Sequence, residues 1–380
     1  MKVIVSIDSF KGSISSMEAG MAVKRGILLA DPSAEVVVKP LADGGEGTVS
    51  ALVEGLKGHI EEVIVSGPLS EPVHAQYGLI PDKKLAVIEM SQAAGITLIP
   101  KAKLNPLYTT TYGVGEMIKH ALNKGYRDFI IGIGGSATND GGAGMLQALG
   151  FDLLDDEGNQ IPVGAVGLKK LVKIEATHIP AELSECTFKI ACDVNNPLYG
   201  DQGSSKIFGP QKGATAEMVE ELDQFLIHYS QVAQAAFPDA DPYFPGVGAA
   251  GGLGFAFHTF LPSYLESGID IILEITQLES LLPNADLLIT GEGRLDYQTA
   301  MGKAPVGVAK LGKKFGKTVI AFAGSVTEGA QECNRHGIDA FFPILREITS
   351  LETAMTPSIA EKNLTETTEQ VIRLFNRSEF

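Results

Sequence analysis

The sequence predicts an α/β chain of two domains: a doubly wound parallel sheet, and an inserted α/β domain whose sheet is mixed. Three observations predict it. Short apolar strand runs alternate with amphipathic helical stretches toward both ends of the chain, the pattern of a parallel sheet covered on two faces. In the middle, strand runs follow one another too closely for crossover helices, so part of that sheet is antiparallel. The 380 residues also exceed the roughly 100–200 of a single domain.

The elements follow in order. Val3–Asp8 is a β-branched strand run, and Ser15-Ser-Met-Glu18 is a capping box opening a helix to about Leu29. Glu35–Lys39 is the second strand, followed by a helix from about Gly47 to Leu56. Val63–Ser66, Val73–Ile80 and Leu85–Met90 form the closely spaced set, with Gly67-Pro68 and Pro81-Asp82 as turns. Longer strand–helix patterns resume at Asp128–Ile133 and Phe188–Asp193, and Ala285–Thr290, Thr318–Ala323 and Asp339–Ile344 are the last strands. One domain is therefore expected over 1–65 plus 285–380, with the inserted mixed-sheet domain over 66–284.

Composition excludes several classes. Lys and Arg number 30 against 46 Asp and Glu, a net charge of −16, which repels phosphate backbones and anionic lipid; neither nucleic acid nor a membrane is an expected partner. No run approaches the ~18 apolar residues of a membrane span. Cys186, Cys192 and Cys333 show no disulfide or zinc spacing. A cytoplasmic protein is expected.

Several strand ends run into stretches rich in Gly, Ser, Thr and Asp: Asp8-Ser-Phe-Lys-Gly-Ser13, Ala42-Asp-Gly-Gly-Glu-Gly-Thr48, Gly132-Ile-Gly-Gly-Ser-Ala-Thr-Asn-Asp-Gly-Gly142, Cys192-Asp-Val-Asn-Asn196, Gly248-Ala-Ala-Gly-Gly-Leu-Gly254 and Gly291-Glu-Gly-Arg-Leu-Asp-Tyr-Gln-Thr299. In open α/β sheets ligands bind outside the carboxyl ends of the strands. Glycine lets backbone amides approach an anion.

Familiar nucleotide fingerprints fail. Gly246-Val-Gly-Ala-Ala-Gly251 follows Asp241-Pro-Tyr-Phe-Pro245, which is no strand; Gly132-Ile-Gly-Gly-Ser-Ala137 does follow a strand, but the helix before Gly150 is short for a dinucleotide unit. Gly312-Lys-Lys-Phe-Gly-Lys-Thr318 is one residue short of a P-loop and precedes its strand. What remains suits phosphoryl transfer, which needs cations on the moving group, acids for Mg²⁺ and a group that orients the acceptor hydroxyl. The loops offer Lys11, Lys303 and Arg294 as cations, and Asp43, Glu46, Asp140, Asp193, Glu292 and Asp296 as acids. Taken singly, each acid suits a cap or turn; their repetition at strand ends argues for a shared site. His258, in an apolar run, suits a core helix better than a base.

The motifs DSFKGS (8–13), ADGGEGT (42–48), GIGGSATNDGGAG (132–144), ACDVNNPLYG (191–200), GAAGGLGF (248–255) and ITGEGRLDYQTAMGKAPVGVA (289–309) resemble those of the two-domain bacterial glycerate kinases. The resemblance runs in one order from residue 1 to about 375. It implies a flavodoxin-like domain plus a second, mixed-sheet α/β domain. It also implies ATP- and Mg²⁺-dependent phosphorylation of D-glycerate, with 2-phosphoglycerate the favoured product, in the cleft between the domains. Within it, Asp193, Lys11 and Asp296 are the candidate catalytic residues. Arg294, Ser9 and Asn195 are the candidates for glycerate, with the Arg294 fork on its carboxylate. Gly134, Gly135, Ser136, Thr138, Gly141 and Lys303 are candidates for the phosphates, and Asp43 with Asp296 for the metal. Two other classes stay open on sequence: a nicotinamide-dependent hydroxyacid oxidoreductase, and a nucleotide-binding sensor without catalysis. Oligomeric state is open too, a homodimer included.

Overall fold

A computed structural model describes residues 1–45 and 47–377. Glu46, one of the candidate acids, lies outside the described residues. The chain divides into two compact units: Met1–Asp43, Ser50–Lys57 and everything from Ile269 onward, and Gly44–Val49 with Gly58–Gly268. These limits stand beside the sequence-based cuts at 65/66 and 284/285. The strand from His59 pairs within the second unit, and Ile269 lies against Gly307 in the first.

In chain order the strands are β1 (Lys2–Ile7), β2 (Glu35–Pro40), β3 (His59–Ser66), β4 (Pro72–Ile80), β5 (Leu85–Glu89), β6 (Asp128–Gly132), β7 (Asp152–Leu154), β8 (Lys173–Glu175), β9 (Thr187–Ala191), β10 (Ser263–Glu266), β11 (Leu287–Leu295), β12 (Thr318–Val326) and β13 (Ala340–Pro343).

The first unit holds a five-stranded, all-parallel sheet in the order β13-β12-β11-β1-β2. Counted within the unit this is the 2-1-3-4-5 order of flavodoxin-like folds. Period-2 alternation sends Val3, Val5 and Ile7 to one face, where they pack with Val23 and Ile27 of helix Ser16–Ala30 and Leu364 and Ile372 of helix Pro357–Phe375. Leu288 and Val319 take the other face, against helix Ala304–Lys314. Helix Ser16–Ala30 begins on the expected capping box: Glu18 N donates to Ser15 Oγ at 3.2 Å, and Ser15 N to a Glu18 carboxylate oxygen at 2.7 Å.

β11 runs past the expected Thr290, because Glu292, Arg294 and Leu295 pair with Ala323, Ser325 and Val326 of β12. The Gly-rich stretch looks like a loop in sequence and is a strand in the fold. Gly291 is needed there, since a Cβ would stand 2.0 Å from the Phe322 carbonyl oxygen. Period 2 then places Glu292 and Arg294 on one face of the sheet.

The second unit is built on a six-stranded mixed sheet, β10-β9-β6-β5-β4-β3. Its β3–β4 and β4–β5 pairs are antiparallel; β5–β6, β6–β9 and β9–β10 are parallel. A short antiparallel ribbon, β7–β8, joins it, and helix Ala216–Ala236 contributes Leu222, Phe225, Leu226 and Tyr229 to the core. The GxGxxG-like stretch at 246–251 follows turns, and Thr318 opens β12 directly after helix Ala304–Lys314 and a left-handed Gly316.

Candidate active site

The first unit carries a cavity of about 400 Å³ at the carboxyl ends of its strands. Sheet order explains its place. β1 and β11 are neighbours, yet the chain leaves β1 toward β2 and leaves β11 toward β12, so the connections diverge and open a crevice between them. The β1 end supplies Asp8, Ser9, Phe10, Lys11 and Ser13; the β2 end supplies Asp43; β11 supplies Glu292, Gly293 and Arg294. Asp296 and Lys303 follow β11, and Gly324 and Ser325 come from β12. Seven sequence-selected residues are thereby gathered: Ser9, Lys11, Asp43, Glu292, Arg294, Asp296 and Lys303.

Asp8 is 6% exposed. Burial, and then the charges of Asp43 and Glu292, push its carboxyl up to about 7, although its Oδ1 accepts the Ser9 amide at 2.7 Å. Glu292 is also raised by burial, against the pull of the Thr299 hydroxyl that donates to its Oε1 at 2.6 Å. Glu292 is among the sequence-based candidate acids, without an assigned role; Asp8 is not, although it lies in a strand-end motif. The cations are more exposed: Lys11 Nζ stands 3.8 Å from Asp43, and Arg294 Nε 3.6 Å from Asp296. Lys303 occupies the N-cap of helix Ala304–Lys314, whose dipole favours an anion nearby. Asp296 caps the short helix Tyr297–Ala300, accepting from the amides of Gln298 and Thr299. That bond holds its carboxylate toward the cavity end.

Among the described residues no three acids, histidines or cysteines form a metal cage. Mg²⁺ usually takes only one or two protein carboxylates, with waters and phosphate oxygens filling its shell. Asp43, Glu292 and Asp296 line the same cavity as Asp8, and their neighbouring carboxyls supply the hard oxygen donors that suit such an ion.

The second unit holds the remaining sequence-selected residues. In the loop after β6, Gly134 and Gly135 are exposed, and a Cβ at Gly134 would meet nothing within 4 Å among the described residues. Ser136 is 8% exposed, whereas Thr138 and Asp140 are fully buried and Gly141 lies against the Tyr229 ring. The loop therefore has an open first half and an interior second half. Asp140 gathers the second half, accepting from the amide and hydroxyl of Thr111 and the amides of Gly142 and Gly144. Lys212, 1% exposed, donates to the Thr138 carbonyl at 2.6 Å, and burial pulls its ammonium down to about 7. Thr138 is thus enclosed, its backbone carbonyl held by Lys212.

Asp193 and Asn195 follow β9 and are exposed; Asp193 Oδ1 accepts the Gly268 amide at 3.0 Å. Asn196 ties down the next turn through Gln202 O at 2.7 Å. Cys192 is half-buried, and burial raises its thiol, which leaves it a weak nucleophile. His258 stacks on Phe244 with ring centroids 4.0 Å apart, and burial lowers it.

A family model described as the glycerate kinase family matches residues 3–376. A curated "Glycerate kinase" from Bacillus subtilis (strain 168) is 49% identical over 93% of both chains. A "Glycerate 2-kinase" from Escherichia coli (strain K12) is 47% identical over 93% of both. The crystal structure of a Salmonella typhimurium LT2 protein described as glycerate kinase 2 superposes with a TM-score of 0.93 at 45% identity, covering 100% of this chain and 99% of that one.

Proposed function

The chain belongs to the glycerate kinase family, and from that premise we propose that it transfers the terminal phosphoryl group of ATP to the 2-hydroxyl of D-glycerate, in the cytoplasm. The observation that carries this is the cavity at the β1/β11 divergence, where buried carboxyls meet three cations beside a helix N-terminus. Phosphoryl transfer asks a protein for positioning and charge compensation and needs no covalent intermediate on a side chain. That demand matches a site without an activated thiol or imidazole.

Arg294, projecting from β11, is assigned to the glycerate carboxylate, which its planar fork can bind through two parallel hydrogen bonds. Ser9, at the β1 end, and Asn195 are assigned to the substrate hydroxyls. Lys11 and Lys303 carry the phosphate charge, and exposed Gly134 and Gly135, with Ser136 beside them, are the part of their loop assigned to phosphate oxygens. Asp43 and Asp296 are the residues that would hold Mg²⁺ or its waters. When bound, that ion would neutralise charge on the phosphate oxygens. Asp193 is assigned to aligning the acceptor hydroxyl, its direction fixed by the Gly268 amide. A loose transition state needs that alignment more than full deprotonation.

The test is a phosphorus NMR spectrum of the product formed from D-glycerate, ATP and Mg²⁺. A 2-phosphoglycerate resonance supports the assignment. A 3-phosphoglycerate resonance moves the reacting hydroxyl, and no phosphorylated product removes the proposed reaction.

A further inference from the structure

The cavity of the first unit has a mixed lining. The ends of β1, β2 and β11 bring Asp8, Asp43, Glu292, Lys11 and Arg294, with Lys303. The segment after β13 brings an apolar part, with Ile344 and Leu345, then Leu351 and Ala354 of the short helix Leu351–Ala354, and Met355 and Ala360 beyond it. Glycerate, a three-carbon acid with two hydroxyls, has no apolar body to bury against that apolar part. A volume of about 400 Å³ also lies in the range that encloses ligands much larger than such an acid.

We propose that this apolar part takes the purine of the nucleotide, with the Asn363 carboxamide reading its polar edge. The assignment rests on the ATP-donor reading above and adds to it where the base sits. A purine is flat, largely apolar on its faces and lined with donors and acceptors at its rim. Asn363 lines the same cavity, and a carboxamide offers one acceptor and two donors, the complement of an adenine amino group beside a ring nitrogen. The apolar wall is also left open to water: Leu345 is 44% and Leu351 76% exposed, surface that a ring would cover. The wall is held ready on the fold. Arg346 pairs with Glu366 at 3.2 Å, joining the segment after β13 to helix Pro357–Phe375. That helix is in turn pinned by the Thr365 hydroxyl, which donates to the Ala22 carbonyl at 3.0 Å. Met355 packs on the turn after β1, its Cε 2.8 Å from where a Cβ at Gly12 would stand. The apolar part thereby touches the loop that carries Lys11.

The experiment uses the full-length enzyme and 8-azido-ATP as a photolabel, with the labelled peptides mapped. Label within residues 344–363, suppressed by ATP and not by D-glycerate, is the expected result. Label in the 134–144 peptide instead would overturn the assignment while leaving ATP as donor. Failure of wild-type enzyme to bind or turn over ATP at all would remove the donor reading itself. In parallel, Ala354→Phe fills the apolar part and should raise the KM for ATP by about tenfold or more, with the KM for glycerate changed far less. Asn363→Leu should narrow the preference for ATP over GTP. A variant whose glycerate KM rises while its ATP KM holds would assign the pocket to the acid and overturn the proposal. If Ala354→Phe lowers the melting temperature sharply, Asn363→Leu and the photolabel map decide alone.

Discussion

Asp8→Asn isolates the energetic cost built into the cavity floor. In the folded protein the Asp8 carboxyl sits at about 7 instead of 3.8, because it is buried and faces the charges of Asp43 and Glu292. Between those two values the folded chain keeps a proton that the unfolded chain releases. Stability therefore falls as pH rises through that window, and the full cost stands above about pH 7. A displacement of about three units corresponds to ~4 kcal/mol at ~1.4 kcal/mol per unit, an upper bound. Asparagine keeps the shape and one acceptor for the Ser9 amide, and it has no charge to bury. The variant should be the more stable protein at pH 8, by about 2–4 kcal/mol, which is roughly 4–15 °C in the transition of the unit that contains it. Well below pH 3.8 the difference should vanish, since Asp8 is then protonated in the folded and the unfolded chain alike. Differential scanning calorimetry at pH 8 and near pH ~3, below the ordinary carboxyl range, with EDTA and without nucleotide, measures it. Turnover should collapse in the same variant, the usual exchange of stability for function at an active site. An Asp8→Asn protein no more stable than wild type at pH 8, or equally stabilised at both pH values, would refute the argument.

Further outcomes are expected at three positions. Arg294→Lys should raise the KM for glycerate by more than about tenfold, because a point charge cannot replace a two-pronged contact, with little change for ATP; steady-state kinetics with each substrate varied will show it. Asp193→Asn should lower kcat by ~10² or more at saturating substrates with little change in melting temperature, whereas a residue that only holds the Gly268 turn would lose stability and keep its turnover. Lys212→Met removes an ammonium that burial holds at about 7. In wild type, the fold sheds a proton that the unfolded chain retains, so stability climbs as pH rises from about 7 toward 10. The variant should lose that climb, as thermal melts at pH 7 and pH 9.5 would reveal.

Local sequence carried the elements whose signals are local. The Ser15/Glu18 capping box, the β-branched run of β1 and the hairpin spacing around Pro81-Asp82 need only near neighbours, and each appears where the sequence puts it. β11 was legible only in its first half. Glu292-Gly-Arg294 has turn composition, and pairing with β12 is what makes it a strand. The loop after β6 misleads in the opposite direction: its Gly, Ser and Thr residues suggest an open cradle throughout, but Asp140 draws the second half inward through partners as distant as Thr111. The polar lining of the cavity could be anticipated from strand-end motifs. Its apolar part could not, because Leu345, Leu351, Met355 and Asn363 share no motif and meet only through the packing of the C-terminal helices. The raised Asp8 carboxyl was likewise invisible, since it depends on burial in the fold and on the charges of Asp43 and Glu292 arriving beside it.

The strand order of the first unit has a consequence for synthesis on the ribosome. β1 and β2 emerge first, yet the central partner of β1 is β11, whose pairing begins at Leu287. At ~5–20 residues per second the nascent chain waits on the order of tens of seconds for that strand. During the wait, the apolar edge of Val3, Val5 and Ile7 has one neighbour in place of two. Residues 58–268 form a continuous stretch with its own sheet and core, so this segment can fold while the amino-terminal parallel sheet is still incomplete. While residues up to Gly268 have cleared the ribosome and β11 has not, the second unit can be complete and the sheet of the first still open at one edge, the stage at which chaperone capture or edge-to-edge aggregation competes with completion of the enzyme.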